Sequence, residues 1–458
     1  MHLVIVGGVA AGTKAAARAR RVDPTLKITL FQQEPEVSYS GCGQPYFLSG
    51  LIPDRKALII RRPEDFARDE IDIRVRHRVT TIDTAAHNVQ AQDLEHDRVD
   101  VVPYDRLILA TGARAVIPDV AGVDADGVVT LRTMAGMDHF RSALERLQPK
   151  DAVIVGGGYV GLEVAEALRS RGIAVSVIEQ STHFPPRLDP EIAQIVHDGL
   201  LGHGVHVLPG EGLAEIVARA AQVAEIVTTS GRTLPAQLVV LSIGVRPNVE
   251  LAVAAGIRLG PTGAIAVDAR MATSAPDVFS AGDCAESHHR LTRRPVWLPL
   301  GDIANLQGRV AGENAAGGDA EFPGVFGTSI FKSFDLAVGS TGLGEGAARE
   351  TGFDPIAAVI RAYDKARYYP DAHPLTLKLI ADAGSGRLLG AQAAGTGAVD
   401  KTIDIAATAL LGNLTCHDVE NADLAYAPPF SPVLSPIIVA ASVLAKKTGP
   451  RAGQRGSR

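Results

Sequence analysis

Two short apolar runs, each ending in a glycine-rich turn, dominate the hydrophobic pattern of the chain. The first, HLVIVGG, begins at residue 2, and the second, DAVIVGGG, begins at residue 151. In both places an alanine-containing segment with helical spacing follows the glycines, and another apolar run, KITLF or AVSVIE, comes next. A buried strand, a glycine turn, a helix and a second strand predict a βαβ unit that binds a dinucleotide.

The second turn has the complete G-x-G-x-x-G spacing, and an acidic residue stands at the tip of the strand that follows. Its glycines let the backbone approach a pyrophosphate, while the acidic side chain binds the 2′-hydroxyl of the adenosine ribose and repels a 2′-phosphate. This pattern favours NADH over NADPH, although Arg187 in the next loop leaves NADPH possible. The predicted NAD contacts are Gly156, Gly158, Tyr159, Gly161 and Glu179.

The first turn is imperfect, because Val9 replaces the middle glycine and Gln32 replaces the acidic residue after the second strand. Gln32 can still form a hydrogen bond to a ribose, without charge. Two later strands also end in glycine turns, and the aspartate in GDCAE is placed to accept hydrogen bonds from the ribityl hydroxyls of a flavin. These features predict FAD. The predicted FAD contacts are Gly7, Gly8, Gly12, Gln32, Gln33, Thr111, Gly112 and Asp283.

The order of these segments predicts an α/β protein with two Rossmann-like dinucleotide-binding domains and a C-terminal α+β domain. The first domain is expected to be discontinuous, because a strand of its sheet follows the second domain. The predicted bounds are 1–115 and 246–324 for the FAD-binding domain, 116–245 for the NAD(P)H-binding domain and 325–448 for the C-terminal domain. Residues 449–458 contain no large apolar side chain and are predicted to be a disordered tail.

Composition narrows the class of protein. The chain has 458 residues and a formal net charge of −6, which gives no electrostatic reason to expect nucleic acid. No apolar run approaches the roughly 20 residues that a membrane span needs, and the N-terminus lacks the pattern of a signal peptide. Three scattered cysteines do not form a secreted disulfide framework. We therefore expect a cytoplasmic protein with neither a membrane anchor nor a metal site.

The segment VSYSGCGQPYFLSG places Cys42 between two glycines. Pro45 suits the first turn of a helix, and a thiol at a helix N-terminus is stabilised as the reactive thiolate. No second cysteine stands at C-x-x-C or C-x4-C spacing, so no disulfide within this motif can store electrons. The oxidised form must therefore be a mixed disulfide with a small thiol, a sulfenic acid or a persulfide. Cys284 and Cys416 are interpreted as packing residues.

Several motifs together give a family resemblance. They are SYSGCGQPYFLSG, GDCAE, PLGDIANLQGRVAGENAAGG, GTSIFKSFDLAVGSTGL, RYYPDAHPLTLKL and LAYAPPFSP. The chain resembles the pyridine nucleotide–disulfide oxidoreductases over roughly residues 1–445, and is most similar to the single-cysteine branch of coenzyme A-disulfide reductases and NADH oxidases. The resemblance implies a homodimer whose C-terminal domain completes the partner's active site. It also implies that two tyrosines of one subunit, Tyr368 (or its neighbour Tyr369) and Tyr426, lie near Cys42 of the other.

The substrate is the least determined part of this interpretation. The resemblance places Arg18, Arg21 and Ser38 along a coenzyme A site. Lys14, Arg18 and Arg21 share one helix face, and a solvated surface is the alternative interpretation of that face. Gly41 and Gln44 depart from the asparagine and leucine of coenzyme A-disulfide reductases.

Three functions remain open on the sequence alone. The resemblance favours NADH-dependent reduction of coenzyme A disulfide, or of a similar small disulfide or persulfide, with electrons passing through the flavin to sulfur on Cys42. The second is an NADH oxidase that uses a Cys42 sulfenic acid, and the third is a flavin redox sensor with little turnover. A peroxidase is disfavoured, since Ala10 stands where that branch has a histidine.

Overall fold

The computed structural model describes residues 1–448. The predicted tail, 449–458, lies outside the described residues. The described chain divides into two compact units. The first contains Met1–Val116, Thr130–Arg141 and Gly244–Val325, and the second contains Ile117–Val129, Ser142–Ile243 and the residues from Phe326 onwards.

Strands and helices are numbered in chain order. The strands are β1 (His2–Val6), β2 (Lys27–Phe31), β3 (Ile71–Arg74), β4 (His77–Asp83), β5 (Asn88–Asp93), β6 (Arg98–Pro103), β7 (Arg106–Leu109), β8 (Ala113–Ala115), β9 (Val128–Val129), β10 (Asp151–Val155), β11 (Ala174–Glu179), β12 (Val205–Pro209), β13 (Leu213–Arg219), β14 (Gln222–Thr228), β15 (Thr233–Pro235), β16 (Leu238–Leu241), β17 (Val245–Pro247), β18 (Val278–Ser280), β19 (Ser287–His288), β20 (Pro295–Val296), β21 (Ser329–Ser333), β22 (Leu336–Gly342), β23 (Pro355–Tyr363), β24 (Pro374–Asp382) and β25 (Leu388–Gly395). The α-helices are α1 (Ala11–Val22), α2 (Gln44–Ser49), α3 (Pro63–Ala67), α4 (Met134–Leu147), α5 (Tyr159–Arg169), α6 (Pro190–Gly202), α7 (Glu250–Ala254), α8 (Gly301–Ala315), α9 (Glu345–Glu350), α10 (Val399–Leu411), α11 (Cys416–Glu420) and α12 (Pro436–Ala445).

The first unit is built on a parallel sheet in the order β18–β7–β1–β2–β3. Leu3, Val4 and Ile5 of β1 are fully buried, as expected for a strand covered on both faces. Because the strands are parallel, the carboxyl ends of β1, β2, β7 and β18 share one edge of the sheet. The residues predicted to bind FAD follow these strand ends, so the fold places them along one edge.

Helices α1 and α8 pack unusually closely in this unit. A Cβ atom added to Gly308 would lie 2.4 Å from the carbonyl oxygen of Ala11, and one added to Gly312 would lie 2.3 Å from that of Ala15. Both glycines are on α8, one turn apart, and both face the backbone of α1. Glycine at these two positions therefore allows the two helix backbones to touch.

The second unit repeats the dinucleotide-binding arrangement. Its parallel sheet has the order β12–β11–β10–β16–β9, so β10 occupies the place that β1 has in the first unit. An antiparallel meander, β13–β14–β15, follows β12 in the same way that β4–β5–β6 follows β3. The two predicted βαβ units are therefore also two similar sheets.

The C-terminal part of the second unit contains an antiparallel sheet in the order β21–β22–β25–β24–β23. Helix α10 packs on β22 and β25, and α12 packs on β23 and β24. This is an α+β arrangement, so the predicted fold class is confirmed. Within residues 1–448, no helix is long and apolar enough to cross a membrane.

Candidate active site

The two glycine turns have the same backbone geometry. Gly7 and Gly156 have φ angles of +105° and +107°, in the region that favours glycine. A Cβ atom on Gly7 would lie 2.0 Å from the carbonyl oxygen of Ala110, and one on Gly156 would lie 2.4 Å from that of Ser242. Each turn therefore requires glycine first, because the chain passes directly against the end of a neighbouring strand.

The remaining positions of the two turns explain why the first fingerprint is imperfect. A Cβ on Gly12 would lie 1.8 Å from the carbonyl oxygen of the first glycine of its turn, and one on Gly161 would lie 2.4 Å from the equivalent oxygen. A Cβ on the middle glycine, Gly158, would meet no atom within 4 Å. The middle position thus borders open space, so Val9 replaces a glycine that the turn itself does not need.

Each turn is bonded to the side chain that follows the next strand. Gln32 Oε1 accepts a hydrogen bond from the Gly8 N–H at 3.0 Å. Glu179 accepts two, from the N–H of Gly157 at 2.8 Å and from that of Ser181 at 2.8 Å. The turn uses one lone pair of Gln32 Oε1, so the second lone pair and the NH2 group remain for a ribose. Gln32 and Glu179 occupy equivalent places, but Gln32 is neutral and presents a donor.

An acidic side chain does lie near Gln32, two residues further along the chain. Tyr39 donates a hydrogen bond from its hydroxyl to Glu34 Oε2 at 2.9 Å. Burial raises the pKa of Glu34, against the opposing effects of the Tyr39 hydrogen bond and the Arg132 charge. Burial and the neighbouring Glu34 raise the pKa of Tyr39. Gln33, also predicted to contact FAD, is exposed.

Asp283 is mostly buried and its carboxylate pairs with Arg132. The indole N–H of Trp297 donates to the carbonyl oxygen of Asp283 at 2.8 Å, and Gln307 Oε1 accepts from the N–H of Gly282 at 2.8 Å. A carboxylate has four lone pairs, so the pair with Arg132 leaves acceptor capacity for a ribityl hydroxyl. The sequence did not indicate Arg132 or Gln307, because each partner lies far away along the chain.

The exit of β7 is also fixed by hydrogen bonds. The Thr111 hydroxyl donates to the carbonyl oxygen of Asn248 at 2.6 Å, and Asn248 Nδ2 donates to the carbonyl oxygen of Thr111 at 2.8 Å. Gly112 has a φ angle of +70°, and a Cβ there would meet no atom within 4 Å. Helix α1 begins without a side-chain cap, which leaves backbone N–H groups for an anion. This edge fits the pyrophosphate and ribityl chain of FAD.

Cys42 lies in a single 3₁₀ turn, Gly41–Gly43, which leads into α2 with Pro45 in the first helical turn. Its side chain is exposed. A Cβ added to Gly41 would meet no atom within 4 Å, so space is open beside the thiol. The N–H of Ser38 donates to the carbonyl oxygen of Gly8 at 2.9 Å. The backbone therefore ties the segment that carries Cys42 to the first glycine turn.

The other two cysteines are in different environments. Cys284 and Cys416 are both fully buried, and no disulfide joins the three cysteines, all of which lie within residues 1–448. Burial raises the pKa of the Cys416 thiol. Cys42 is thus the cysteine that a substrate can reach. The described residues contain no group of three or more His, Cys, Asp or Glu side chains arranged to hold a metal ion.

Gln44, the departure from the family two residues after Cys42, is buried with 1% of its surface exposed. Its Nε2 atom has no hydrogen-bond partner among the described residues. A buried donor left unpaired costs about 1–3 kcal/mol. Gln44 therefore holds an amide donor next to the cysteine turn that the protein itself does not satisfy.

The residues predicted to bind the substrate differ in exposure and in the contacts they make. Arg18 pairs with Glu313 of α8, with 2.6 Å between Nη2 and Oε2 and 2.9 Å between Nε and the same oxygen. Arg21 is exposed, and Lys14 is half-buried. Ser38 has a φ angle of +49° and lies beside the first glycine turn. The charge of Arg18 is therefore partly neutralised within the chain.

The structure brings Tyr368 and Tyr426 together. Tyr368 is 77% exposed and Tyr426 is 47% exposed. Partial desolvation raises the pKa of Tyr426, and so do the charge of Tyr368 and a hydrogen bond between the two side chains. Two further large apolar side chains of the loop before α12, Phe430 and Val433, are exposed as well. Large apolar side chains left exposed in this way are typical of a surface that binds another protein.

Comparisons with known proteins identify the family of the chain. Residues 1–299 match the family model described as pyridine nucleotide-disulphide oxidoreductase, and residues 328–436 match the model of its dimerisation domain. This is the family that the resemblance in the sequence indicates, and that prediction is thereby confirmed.

Three relatives share nearly the whole length of the chain. An NAD(P)H sulfur oxidoreductase (CoA-dependent) of Pyrococcus abyssi is 40% identical, with 96% of this chain and 98% of the relative covered. A coenzyme A disulfide reductase of Staphylococcus aureus is 31% identical, with 94% and 96% covered. The solved structure of an NAD-dependent persulfide reductase from A. fulgidus superposes with a TM-score of 0.95 at 40% identity, covering 98% of this chain and 83% of that one.

Proposed function

This chain belongs to the pyridine nucleotide-disulphide oxidoreductase family, and on that basis we propose that it reduces a disulfide or persulfide of coenzyme A, or of a similar small thiol, with electrons from NAD(P)H. The observation that carries the proposal is the environment of the three cysteines. Cys42 is exposed on a turn bonded to the first glycine turn, whereas Cys284 and Cys416 are buried. A second sulfur must therefore come from the substrate.

The stoichiometry follows from one reactive thiol. The Cys42 thiolate attacks one sulfur of a disulfide RSSR, a Cys42–SR bond forms, the substrate S–S bond breaks and RS⁻ leaves. Reduction of this mixed disulfide takes two electrons, regenerates the Cys42 thiolate and releases the second RS⁻. FAD, when bound, relays these two electrons from NAD(P)H. Cys42 lies in the 3₁₀ turn that leads into α2, where the backbone N–H groups at the start of the helix would stabilise negative charge on its sulfur.

The residues at the edge of the first sheet would hold FAD. Gly7, Gly8 and Gly12 would provide the turn for the pyrophosphate, and the amide group of Gln32 would form a hydrogen bond to the ribose. Asp283, held by Arg132, would accept hydrogen bonds from the ribityl chain. Gln33, Thr111 and Gly112 complete the predicted set.

The second turn would hold the nicotinamide dinucleotide. Glu179 accepts from two backbone N–H groups and retains lone pairs for a ribose hydroxyl. Its charge disfavours the 2′-phosphate of NADPH, so NADH is the preferred donor. Arg187 is exposed in the loop that follows and leaves use of NADPH possible.

The chain is proposed to act as a homodimer through the dimerisation domain. Tyr368 and Tyr426 lie together and are exposed, which supports a role across the interface, beside Cys42 of the partner. Their hydroxyls would form hydrogen bonds to the thiolate that leaves. Arg18, Arg21 and Ser38 would line the path of a coenzyme A moiety.

The predicted domain bounds are retained as part of this proposal. Strand β18 lies in the segment 246–324 and pairs with β7 of the segment 1–115, which supports a discontinuous FAD-binding domain. The NAD(P)H-binding domain covers 116–245 and the interface domain 325–448. An exposed reactive thiol suits a reducing compartment such as the cytoplasm.

A direct test is anaerobic NADH consumption by the purified holoenzyme against a panel of acceptors. The panel contains coenzyme A disulfide, coenzyme A persulfide, oxidised glutathione and, in a separate aerobic arm, oxygen. Intact mass with and without dithiothreitol shows whether Cys42 carries a small thiol. Cys42→Ser should abolish disulfide reduction while NADH still bleaches the flavin, and Cys416→Ala should leave both reactions unchanged.

Each outcome discriminates. Turnover with a coenzyme A substrate, lost in C42S, supports the proposal. Turnover with oxygen and with no disulfide would replace it with an NADH oxidase that uses a Cys42 sulfenic acid. Flavin bleaching with no turnover on any acceptor would indicate a redox sensor.

A further inference from the structure

One lysine of the second unit is buried among three carboxylates. Lys378 lies in the middle of β24 with 1% of its side chain exposed. Its Nζ atom is 3.0 Å from Asp189 Oδ2, 2.8 Å from Glu191 Oε2 and 2.6 Å from Glu345 Oε2. Burial alone would lower the pKa of Lys378, but hydrogen bonds to the three carboxylates raise it to about 12. The lysine is therefore charged at every physiological pH, and each acid is held by it.

Two of these acids stand at the start of α6. Asp189 is the residue before the helix, and Glu191 is in its first turn. Gln392 lies opposite Lys378 on the neighbouring strand β25, and its Oε1 accepts a hydrogen bond from the Asp189 N–H at 2.7 Å. Two adjacent positions of one sheet therefore hold Asp189, one through its side chain and one through its backbone.

Asp189 ends the segment 180–189, which begins directly after Glu179. The side chain of Phe184, in the middle of this segment, lies against the second glycine turn: a Cβ added to Gly157 would be 2.3 Å from Phe184 Cε2. At the other end, Ser181 donates its N–H to Glu179. The segment is thus bonded to the Glu179 side chain at its start, lies against the glycine turn in its middle, and is bonded to the C-terminal sheet at its end.

We infer that Lys378 is a positioning residue for the nicotinamide dinucleotide: by holding Asp189 it fixes the segment 180–189 beside the second glycine turn and Glu179. This rests on the proposed function, in that it takes the second turn as the NAD(P)H site. Lys378 itself contacts Asp189, Glu191 and Glu345, so its effect reaches the dinucleotide through the segment. The effect should appear in the affinity for NADH and leave the thiol chemistry of Cys42 unchanged.

The test uses FAD-loaded Lys378→Met. Substitutions that act on a ligand without touching it change affinity by roughly 0.5–2 kcal/mol, which corresponds to about a two- to thirtyfold change. We expect the Kd and KM for NADH to rise within this range. The KM for the disulfide and the rate of Cys42 alkylation should stay within about twofold of the wild type. Lys446→Met, at an exposed lysine after α12, is the matched control and should leave the Kd and KM for NADH unchanged.

Two further variants keep the inference testable if K378M does not fold. Gln392→Leu removes the acceptor of the Asp189 N–H without changing charge, and should raise the Kd for NADH in the same direction but less. Glu345→Gln changes only a side chain, so Asp189 keeps its contacts with Lys378 and Gln392 and the hydrogen bond that it accepts from the Glu345 N–H at 3.2 Å. This variant should bind NADH like the wild type.

The inference is overturned if folded K378M, or Q392L, binds NADH with the wild-type Kd. It is also overturned if E345Q weakens NADH as much as Q392L does, since the cluster would then act through general stability. The Kd is measured by titrating NADH, without an acceptor, into enzyme whose FAD has first been reduced, because oxidised flavin would consume the NADH. Failure of the proposed disulfide reaction would therefore be visible separately, as a wild-type enzyme that binds NADH but reduces no disulfide.

Discussion

The preference for NADH depends on one side chain, so Glu179→Gln is a sharp test of the second glycine turn. In the wild type, the carboxylate accepts the N–H of Gly157 and would meet a 2′-phosphate directly. Two unit charges about 4 Å apart near a protein surface repel by about 4 kcal/mol. Replacing the charged acceptor for a ribose hydroxyl with a neutral one costs NADH about 1 kcal/mol.

These magnitudes predict opposite effects on the two dinucleotides. We expect kcat/KM for NADH to fall about fivefold, and kcat/KM for NADPH to rise by up to about a thousandfold. The assay is initial-rate kinetics with each dinucleotide at a fixed disulfide concentration, and the informative quantity is the ratio of the two values. General damage to the turn cancels in that ratio.

Glu211→Gln is the matched control. Glu211 follows the neighbouring strand β12, and its N–H bonds to the carbonyl oxygen of Glu179 at 3.0 Å, but its side chain accepts from Ser230 at 2.8 Å. E211Q should leave the NADPH-to-NADH ratio within about twofold of the wild type. An equal change of the NADPH-to-NADH ratio in E211Q and E179Q would refute the reasoning. Selectivity would then come from the summed negative charge at the carboxyl ends of β11 and β12, and not from direct contact with Glu179. A ratio in E179Q that stays near the wild-type value would refute the reasoning as well.

Three other substitutions test the first unit. Gly308→Ala should destabilise the protein by about 1–3 kcal/mol, since its Cβ would overlap α1, whereas Gly301→Ala on the same helix has open space and should be neutral; thermal unfolding separates them. Gln32→Glu should lower the Kd for FAD about fivefold by adding a charged acceptor, measured from the fluorescence of released flavin, and an unchanged Kd would place the ribose elsewhere. Burial raises the pKa of Glu34 above the ordinary value of 4.5, because the charged carboxylate is disfavoured in the folded protein. The folded state is therefore destabilised as the pH rises through this raised pKa and Glu34 ionises. Glu34→Gln should therefore unfold at a higher temperature than the wild type at pH 8, with the difference vanishing below pH 4.5; a constant difference across this range would contradict the assignment.

The family and fold were accessible from sequence because their signals are local. A strand, a glycine turn and a helix lie within some twenty residues, and the backbone constraint at Gly7 or Gly156 is visible wherever glycine recurs at that spacing. The resemblance at the Cys42 motif led to the family that the comparisons confirm. The individual site residues and the domain bounds remain predictions for experiment to test.

Tertiary structure decided the partners of charged and polar side chains. The pair of Arg132 with Asp283 and the cluster around Lys378 join residues far apart along the chain, and no periodic pattern marks either one. The fold also places Arg18, which was predicted to line a coenzyme A site, in an ion pair with Glu313.

The sequence by itself determined where the chain turns, which segments are buried and which cysteine has a motif around it. These depend on backbone geometry and hydrophobic period, which neighbouring residues encode. Only the folded chain determined which side chain neutralises which, because a long polar side chain finds its partner through the packing of whole elements. That is why the motif RYYPDAHPLTLKL, although it contains Lys378, did not reveal which side chains this lysine holds. Only the fold shows that it contacts Asp189, at the end of the segment beside the second glycine turn.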